Sequence, residues 1–72
     1  MKITYRQNGY DKDVYCNQAK TKLTIARSCY GSFCIYFEDT KIREEYYLAD
    51  AKECVEGLLK LNIGRDFEHE KA

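Results

Sequence analysis

The chain has 72 residues, of which 44% are hydrophobic and 33% charged, and its formal net charge is zero. A chain of this length buries only about 60% of its unfolded surface on folding, so it has room for one small domain and little room for an enzyme's deep pocket. The neutral balance argues against a protein that binds nucleic acid mainly through charge, and no apolar run approaches the roughly 18 residues that cross a membrane.

The first two strands are predicted from apolar residues that alternate with polar ones, which places every second side chain on one face of a sheet. Asn8-Gly9 follows the first run and is the pair most typical of a two-residue hairpin turn. This turn pairs Ile3 with Val14 and leaves Cys16 on the same inner face.

The next two strands are predicted over 22–28 and 33–38, after a polar connection over 17–22. β-Branched and aromatic residues are frequent in both runs, as expected for strands. The loop between these two strands decides which side chains face the core.

Two lengths are possible for that loop. A two-residue turn that contains Gly31 sets Cys29 opposite Cys34 and could accept a disulfide, but it divides the apolar residues between the two faces. A three-residue loop over 30–32 turns Cys29 toward the core and Cys34 outward, and it also turns Arg27 inward. We expect the three-residue loop, because a one-residue slip would move a whole strand's apolar side chains to the other face. The residues that it gathers on one face are Leu23, Ile25, Phe33, Ile35 and Phe37.

A fifth strand is predicted over 41–48, after a turn at 39–40. It pairs Phe37 with Ile42 and Ile35 with Glu44. A glutamate opposite a core isoleucine is unfavourable, so we expect this strand to be bulged or short.

The period of the apolar residues changes at residue 48, and a helix is predicted in the segment that follows. Asp50 can cap it and Glu53 stands at capping-box spacing, while Gly64 is a suitable end. Residues 65–72 form a charged tail that we expect to fray. The predicted apolar stripe consists of Ala51, Cys54, Val55, Leu58, Leu59 and Asn62.

These elements predict an α+β fold, a four- to five-stranded antiparallel β-meander with one C-terminal α-helix packed on one face. Residues 1–64 make a single compact domain, and residues 65–72 lie outside it.

No motif for catalysis, metal or cofactor binding is found. A structural zinc site uses two ligand pairs, and cysteine pairs in such sites are separated by two to four residues. Only Cys29 and Cys34, with four residues between them, have such a spacing, and no second pair accompanies them. The one histidine, His69, lies in the charged tail. We therefore expect no cofactor, no metal site and no enzymatic activity.

The tyrosines give the clearest functional signal, since there are seven of them. One helix can cover only one face of the sheet, so the other face should be open. Tyrosine offers a large rigid contact area with a polar tip and is common at protein interfaces; alternatively, the tyrosines only stabilise an exposed sheet by cross-strand pairing. The residues predicted on this open face as a partner-binding surface are Tyr15, Tyr30, Tyr36, Tyr47, Arg43 and Glu45.

Charge is divided along the chain, with a net +4 in residues 1–30 and a net −4 in residues 31–72. The acidic side of the helix is a second, weaker candidate for partner binding. It carries Asp50, Glu53 and Glu56.

These observations predict a small non-enzymatic protein-interaction module, an inhibitor or adaptor that occludes a larger host or regulatory protein. In size and architecture the chain resembles small accessory proteins that phages and mobile elements encode against host defence, including inhibitors of CRISPR nucleases. One alternative is a single-stranded nucleic-acid-binding protein that uses the basic N-terminal strands and the tyrosines; another is a homodimeric structural protein. The N-terminus lacks an apolar signal segment, so we expect a cytoplasmic protein without membrane contact.

Overall fold

The computed structural model describes residues 2–61 and residue 63, which form five strands followed by one helix. The elements are β1 (Ile3–Asn8), β2 (Asp11–Cys16), β3 (Ala19–Arg27), β4 (Phe33–Phe37), β5 (Thr40–Glu45) and α1 (Leu48–Lys60). The strands form one antiparallel sheet in chain order, and the predicted α+β meander is confirmed. Asn62, Gly64 and the predicted tail lie outside the described residues, and the division at residue 64 stays a prediction.

The first hairpin turns one residue later than predicted, at Gly9-Tyr10, and Ile3 pairs with Cys16 rather than with Val14. Gly9 has a φ of 65°, and a positive φ is required at the first central residue of a type II′ turn. The displacement keeps the faces unchanged, so Ile3 and Cys16 still share the inner face.

The polar connection predicted over 17–22 is wrong, because the turn consists of Asn17 and Gln18 alone. Both residues have positive φ, 53° and 71°, as in a type I′ hairpin. β3 therefore begins at Ala19, and Thr21 is buried on its inner face. The Thr21 hydroxyl donates a hydrogen bond of 2.8 Å to the carbonyl of Val14, which satisfies a polar group inside the core where the β2–β3 register shifts.

The β3–β4 loop is longer than either predicted loop, although the predicted sharing of faces is correct. Arg27 pairs with Phe33 and Ile25 with Ile35, so five residues, 28–32, connect the strands. Cys29 therefore lies in the loop and is exposed, and the prediction that it faces the core is wrong. Arg27 does share the core face, and it reaches solvent at the end of its strand.

β5 contains the expected irregularity, in a register that differs from the predicted one. Ile35 pairs with Arg43 and Tyr36 with Lys41, which leaves Ile42 as an extra residue in a bulge. The predicted pairing of Ile42 with a core phenylalanine is wrong, since Ile42 is exposed.

The helix begins two residues earlier than the predicted cap. Tyr47 is the N-cap without a side-chain hydrogen bond, and the backbone N–H of Ala51 donates to its carbonyl at 3.0 Å. Asp50 and Glu53 therefore lie inside α1, and the predicted capping box is wrong. Leu48 packs against the core, so burial of its side chain offsets the missing side-chain cap.

The core lies between the inner face of the sheet and α1. Three helical residues of the predicted stripe are fully buried, while Cys54 and Leu58 pack at its margin. The core cluster consists of Val14, Cys16, Leu23, Ile25, Ile35, Ala51, Val55 and Leu59.

Leu59→Ala should lower the free energy of unfolding by about 3 kcal/mol, because it removes a side chain with 0% exposure from the core. The matched control is Leu61→Ala, since Leu61 is 71% exposed and should change the free energy by no more than about 0.5 kcal/mol. Urea denaturation followed by far-UV circular dichroism measures both values. Equal losses in the two variants would contradict this packing.

Candidate interaction surface

The helix leaves the outer face of the sheet open, and two of the predicted tyrosines lie there. Tyr15 and Tyr36 are both half-buried. The guanidinium of Arg6 stands 4.9 Å from the centroid of the Tyr15 ring, a cation–π contact within the sheet. Tyr36 pairs across the strands with Thr24. The tyrosines of this face are thus partly occupied by their own neighbours.

Arg43 and Glu45 lie on the opposite side of the sheet from these tyrosines. Their partners in β4 are Ile35 and Phe33, both on the inner face. Arg43 Nε donates to Glu45 Oε2 at 3.2 Å. The predicted placement of Arg43 and Glu45 on the open face was wrong, because the β4–β5 register differs from the predicted one by one residue at these positions.

The predicted placement of Tyr30 and Tyr47 on the open face was wrong, because both residues lie in connections between elements, at one end of the sheet. The registers place the β1–β2 turn, the β3–β4 loop and the end of β5 at this same end. Each connection carries an exposed tyrosine, and the exposed fractions range from 70% to 91%. We call this surface the tyrosine end, and it consists of Tyr10, Tyr30, Tyr46 and Tyr47.

Tyr10 and Tyr46 were not recognised as site residues in the sequence. The available signal was their position directly after a predicted turn and near the end of a predicted strand. Strands spaced about 4.8 Å apart separate the first turn from the β3–β4 loop by about 10 Å. One partner surface can therefore contact all three connections.

The loop that carries Tyr30 is held by two serines. The Ser28 hydroxyl accepts hydrogen bonds from the backbone N–H groups of Tyr30 and Ser32, each at 3.2 Å. The N–H of Ser28 donates to the Ser32 carbonyl at 2.8 Å. The buried Ser32 hydroxyl donates to the Glu44 carboxylate, so the loop is fixed both internally and to β5.

Glu44 connects this loop to a cation on β5. Lys41 Nζ donates to Glu44 Oε1 at 2.7 Å. The hydrogen bonds from Lys41 and then from Ser32 lower the pKa of the Glu44 carboxyl. Glu44, which was expected to face the core, is thus ionised at the outer side of the sheet and anchors the loop.

A groove lies next to the tyrosine end, between the inner face of the sheet and the first residue of α1. It has a volume of about 280 Å³. Its apolar residues come from β3, β4 and α1, and its cationic residues come from β2 and β3. The lining consists of Gln7, Tyr10, Lys12, Ile25, Arg27, Phe33 and Leu48.

The outer face carries a groove of the opposite charge, with a volume of about 400 Å³. Four carboxylates surround it, and Tyr36 and Thr24 contribute to its wall. These carboxylates belong to Asp11, Asp13, Glu38 and Asp39. The groove on the inner face is therefore lined by cations, and the groove on the outer face is lined by carboxylates.

The predicted acidic side of the helix is only partly free. Asp50 and Glu53 are exposed. Glu56 is half-buried and accepts a hydrogen bond of 3.4 Å from the Tyr5 hydroxyl, and Lys52 Nζ stands 4.8 Å from the centroid of the Tyr5 ring. Glu56 thus helps to hold α1 against β1.

The four cysteines are free thiols. Cys34 faces outward, as predicted, but its neighbours cover it and it is only 7% exposed. Burial raises the pKa of the Cys54 thiol. Within residues 2–61 and 63, no group of three or more histidine, cysteine or acidic side chains is arranged to hold a metal ion.

Comparison of the chain with family models, with curated proteins and with solved structures gives no match. Among the described residues no helix is both long enough and apolar enough to span a membrane.

Gly31→Ala should lower the free energy of unfolding by about 1 kcal/mol, because Gly31 has a φ of 89° that a residue with Cβ adopts only with strain. Gly57→Ala is the matched control: it places the same methyl group on a helical residue with open space around it, and should raise that free energy by about 0.5–1 kcal/mol. Urea denaturation compares the two variants, and a stabilised Gly31 variant would contradict the loop conformation.

Between pH 10 and 12 the free energy of unfolding should fall, because Tyr5 loses its proton at a lower pH in the unfolded chain than in the folded one. Burial, followed by the charge and the hydrogen bond of Glu56, raises its pKa from 10.0 to about 12. The unfolded chain loses this proton first, so stability present below pH 10 is lost as the pH rises through 12. Tyr5→Phe should remove this part of the slope and Glu56→Gln should reduce it, as measured by urea denaturation at each pH. An unchanged slope in Tyr5→Phe would contradict the assignment.

Proposed function

We propose that this protein is a small non-enzymatic interaction module that binds another protein through the tyrosine end. The observation that carries the proposal is the exposure of four tyrosines, 70–91% each, on three separate connections at one end of the sheet. Exposed aromatic patches mark interaction sites, and tyrosine is enriched among the residues that contribute most to binding.

The way these tyrosines are held also supports the proposal. Tyr10 lies in a two-residue turn, Tyr30 in the serine-fixed loop, and Tyr47 directly before the first helical residue. Short, hydrogen-bonded connections lose little backbone freedom on binding. The rings therefore form a surface whose backbone is arranged before the partner arrives.

We propose that binding acts by occlusion, as in an inhibitor or adaptor that covers a functional surface of a larger host or regulatory protein. A small domain suits this role, because a standard interface needs only about 800 Å² from each partner. A phage- or mobile-element-encoded inhibitor of host defence is one form of this proposal, and it rests on size and architecture alone.

A cytoplasmic location belongs to the same proposal. The free state of all four cysteines is the state that a reducing compartment maintains.

The double variant Tyr30→Ser/Tyr47→Ser should weaken partner binding by at least about 2 kcal/mol, the loss typical of a hot-spot residue. The partner is first identified by affinity capture from the native host with the unaltered protein, and its dissociation constant is then measured by calorimetry. Leu61→Ser is the control, because it removes an exposed apolar side chain at the far end of α1.

Circular dichroism establishes that each variant is folded. Unchanged affinity in the folded double variant would contradict the proposal. Light scattering that shows a dimer of the unaltered chain, and a monomer of the double variant, would favour the homodimer instead. Steeply salt-dependent binding of a single-stranded oligonucleotide that requires the same tyrosines would favour the nucleic-acid alternative.

A further inference from the structure

We infer that the groove beside the tyrosine end binds an acidic peptide segment of the partner, with one large apolar side chain on the groove floor and carboxylates at Lys12 and Arg27. The inference rests on the proposed function, since the groove shares Tyr10 with the tyrosine end.

The floor of the groove is apolar. Ile25 is buried, Phe33 and Leu48 are half-buried, and the three residues come from different elements. A volume of about 280 Å³ lies just below the usual range for small-molecule sites, about 300–1,000 Å³. The groove therefore suits one bulky side chain of a peptide better than a complete small ligand.

The cations at the groove have no acidic neighbours in its lining. Lys12 pairs with Ile25 and Arg27 with Phe33, so both cations stand on the inner face beside the floor. Lys12 Nζ donates to the Gln7 side chain at 2.7 Å. Within the described residues, Arg27 has no salt bridge. A guanidinium in this state can hold a carboxylate through two parallel hydrogen bonds.

The nearest acidic residue in register is already paired. Glu45 stands opposite Phe33 on β5, and its carboxylate accepts the hydrogen bond from Arg43 at 3.2 Å. An incoming carboxylate therefore meets Lys12 and Arg27 without competition from Glu45.

The outer face restricts where such a segment can bind. Its groove is surrounded by four carboxylates. Glu38 forms a salt bridge of 3.6 Å with Lys22, and the remaining three leave a net negative charge that repels an acidic segment. The same peptide is thus attracted to the inner groove and excluded from the outer one, so the sheet itself distinguishes the two sites.

The test uses a fluorescein-labelled peptide of sequence GDEFDEG with the full chain, measured by fluorescence anisotropy. We expect saturable binding, with backbone amide shifts in NMR spectra at Lys12, Arg27, Phe33 and Leu48. Two control peptides, GNQFNQG and GDESDEG, remove the charges and the aromatic ring respectively. Each should bind at least about tenfold more weakly, the equivalent of one charge-assisted hydrogen bond or one buried side chain.

Arg27→Gln should weaken binding of GDEFDEG about tenfold or more, and Lys12→Gln should do the same. Lys20→Gln is the matched control, since Lys20 is exposed on β3 and does not line the groove. Equal effects of Arg27→Gln and Lys20→Gln would overturn the inference. So would equal binding of the neutral peptide, or an oligonucleotide that displaces GDEFDEG.

The chain's own C-terminus is the remaining competitor, because Phe67 stands between Asp66 and Glu68 in the sequence. If Phe67→Ser in the full chain tightens GDEFDEG binding tenfold or more, the groove's occupant is this tail and the inference of a partner segment is overturned.

Failure of the groove assignment is distinct from failure of the proposed function. If GDEFDEG does not bind while Tyr30→Ser/Tyr47→Ser still weakens the partner, only the groove assignment is lost.

Discussion

The structure depends on the burial of alternate residues of β3 beneath the helix. Leu23 and Ile25 are inaccessible to solvent, and Thr21 beside them is buried with its hydroxyl bonded to the Val14 carbonyl. Shifting β3 by one residue would exchange these side chains for Lys22, Thr24 and their neighbours, which no thin core could accommodate. Both neighbouring strands are therefore held in registers that keep their own apolar residues on the same side.

The burial of β3 determines which side chains face the core more strongly than it determines which residues pair across neighbouring strands. Every register compatible with the core differs from the next by two residues, and the sequence pattern cannot distinguish them. The first hairpin and the β3–β4 pair both differ from the predicted register in this way, and in both the inner face was predicted correctly. The turns select among the allowed registers, because each turn type needs residues that can adopt particular backbone angles. In this chain Gly9, Asn17 and Gln18 adopt positive φ in their turns.

In β5 the hydrophobic pattern does not determine which side chains face the core. Its only strongly apolar residue after the turn is Ile42, and the register leaves it in a bulge. At an edge strand, charged side chains can reach solvent from either face, so the hydrophobic pattern places little constraint on the register of the strand. Arg43 and Glu45 could not be assigned to a side from the sequence for this reason, and neither could Glu44, whose role comes from the distant Ser32.

The candidate site could be predicted only in part, because the alternation of apolar and polar residues gives no information about the connections. Alternation assigns side chains only within strands, so it predicted correctly that Tyr15 and Tyr36 lie on the outer face, but it gave no basis for placing tyrosines in connections. In a domain this small, the outer face satisfies much of its own surface through contacts such as Arg6 with Tyr15. The ends of the sheet have fewer neighbours, and it is there that aromatic rings remain exposed. Tyrosines at such positions contribute little packing to the core and occupy turns where smaller polar residues would serve the backbone better. Their exposure at one end is therefore not required by the packing of the fold, and the proposed contact with a partner rests on this observation.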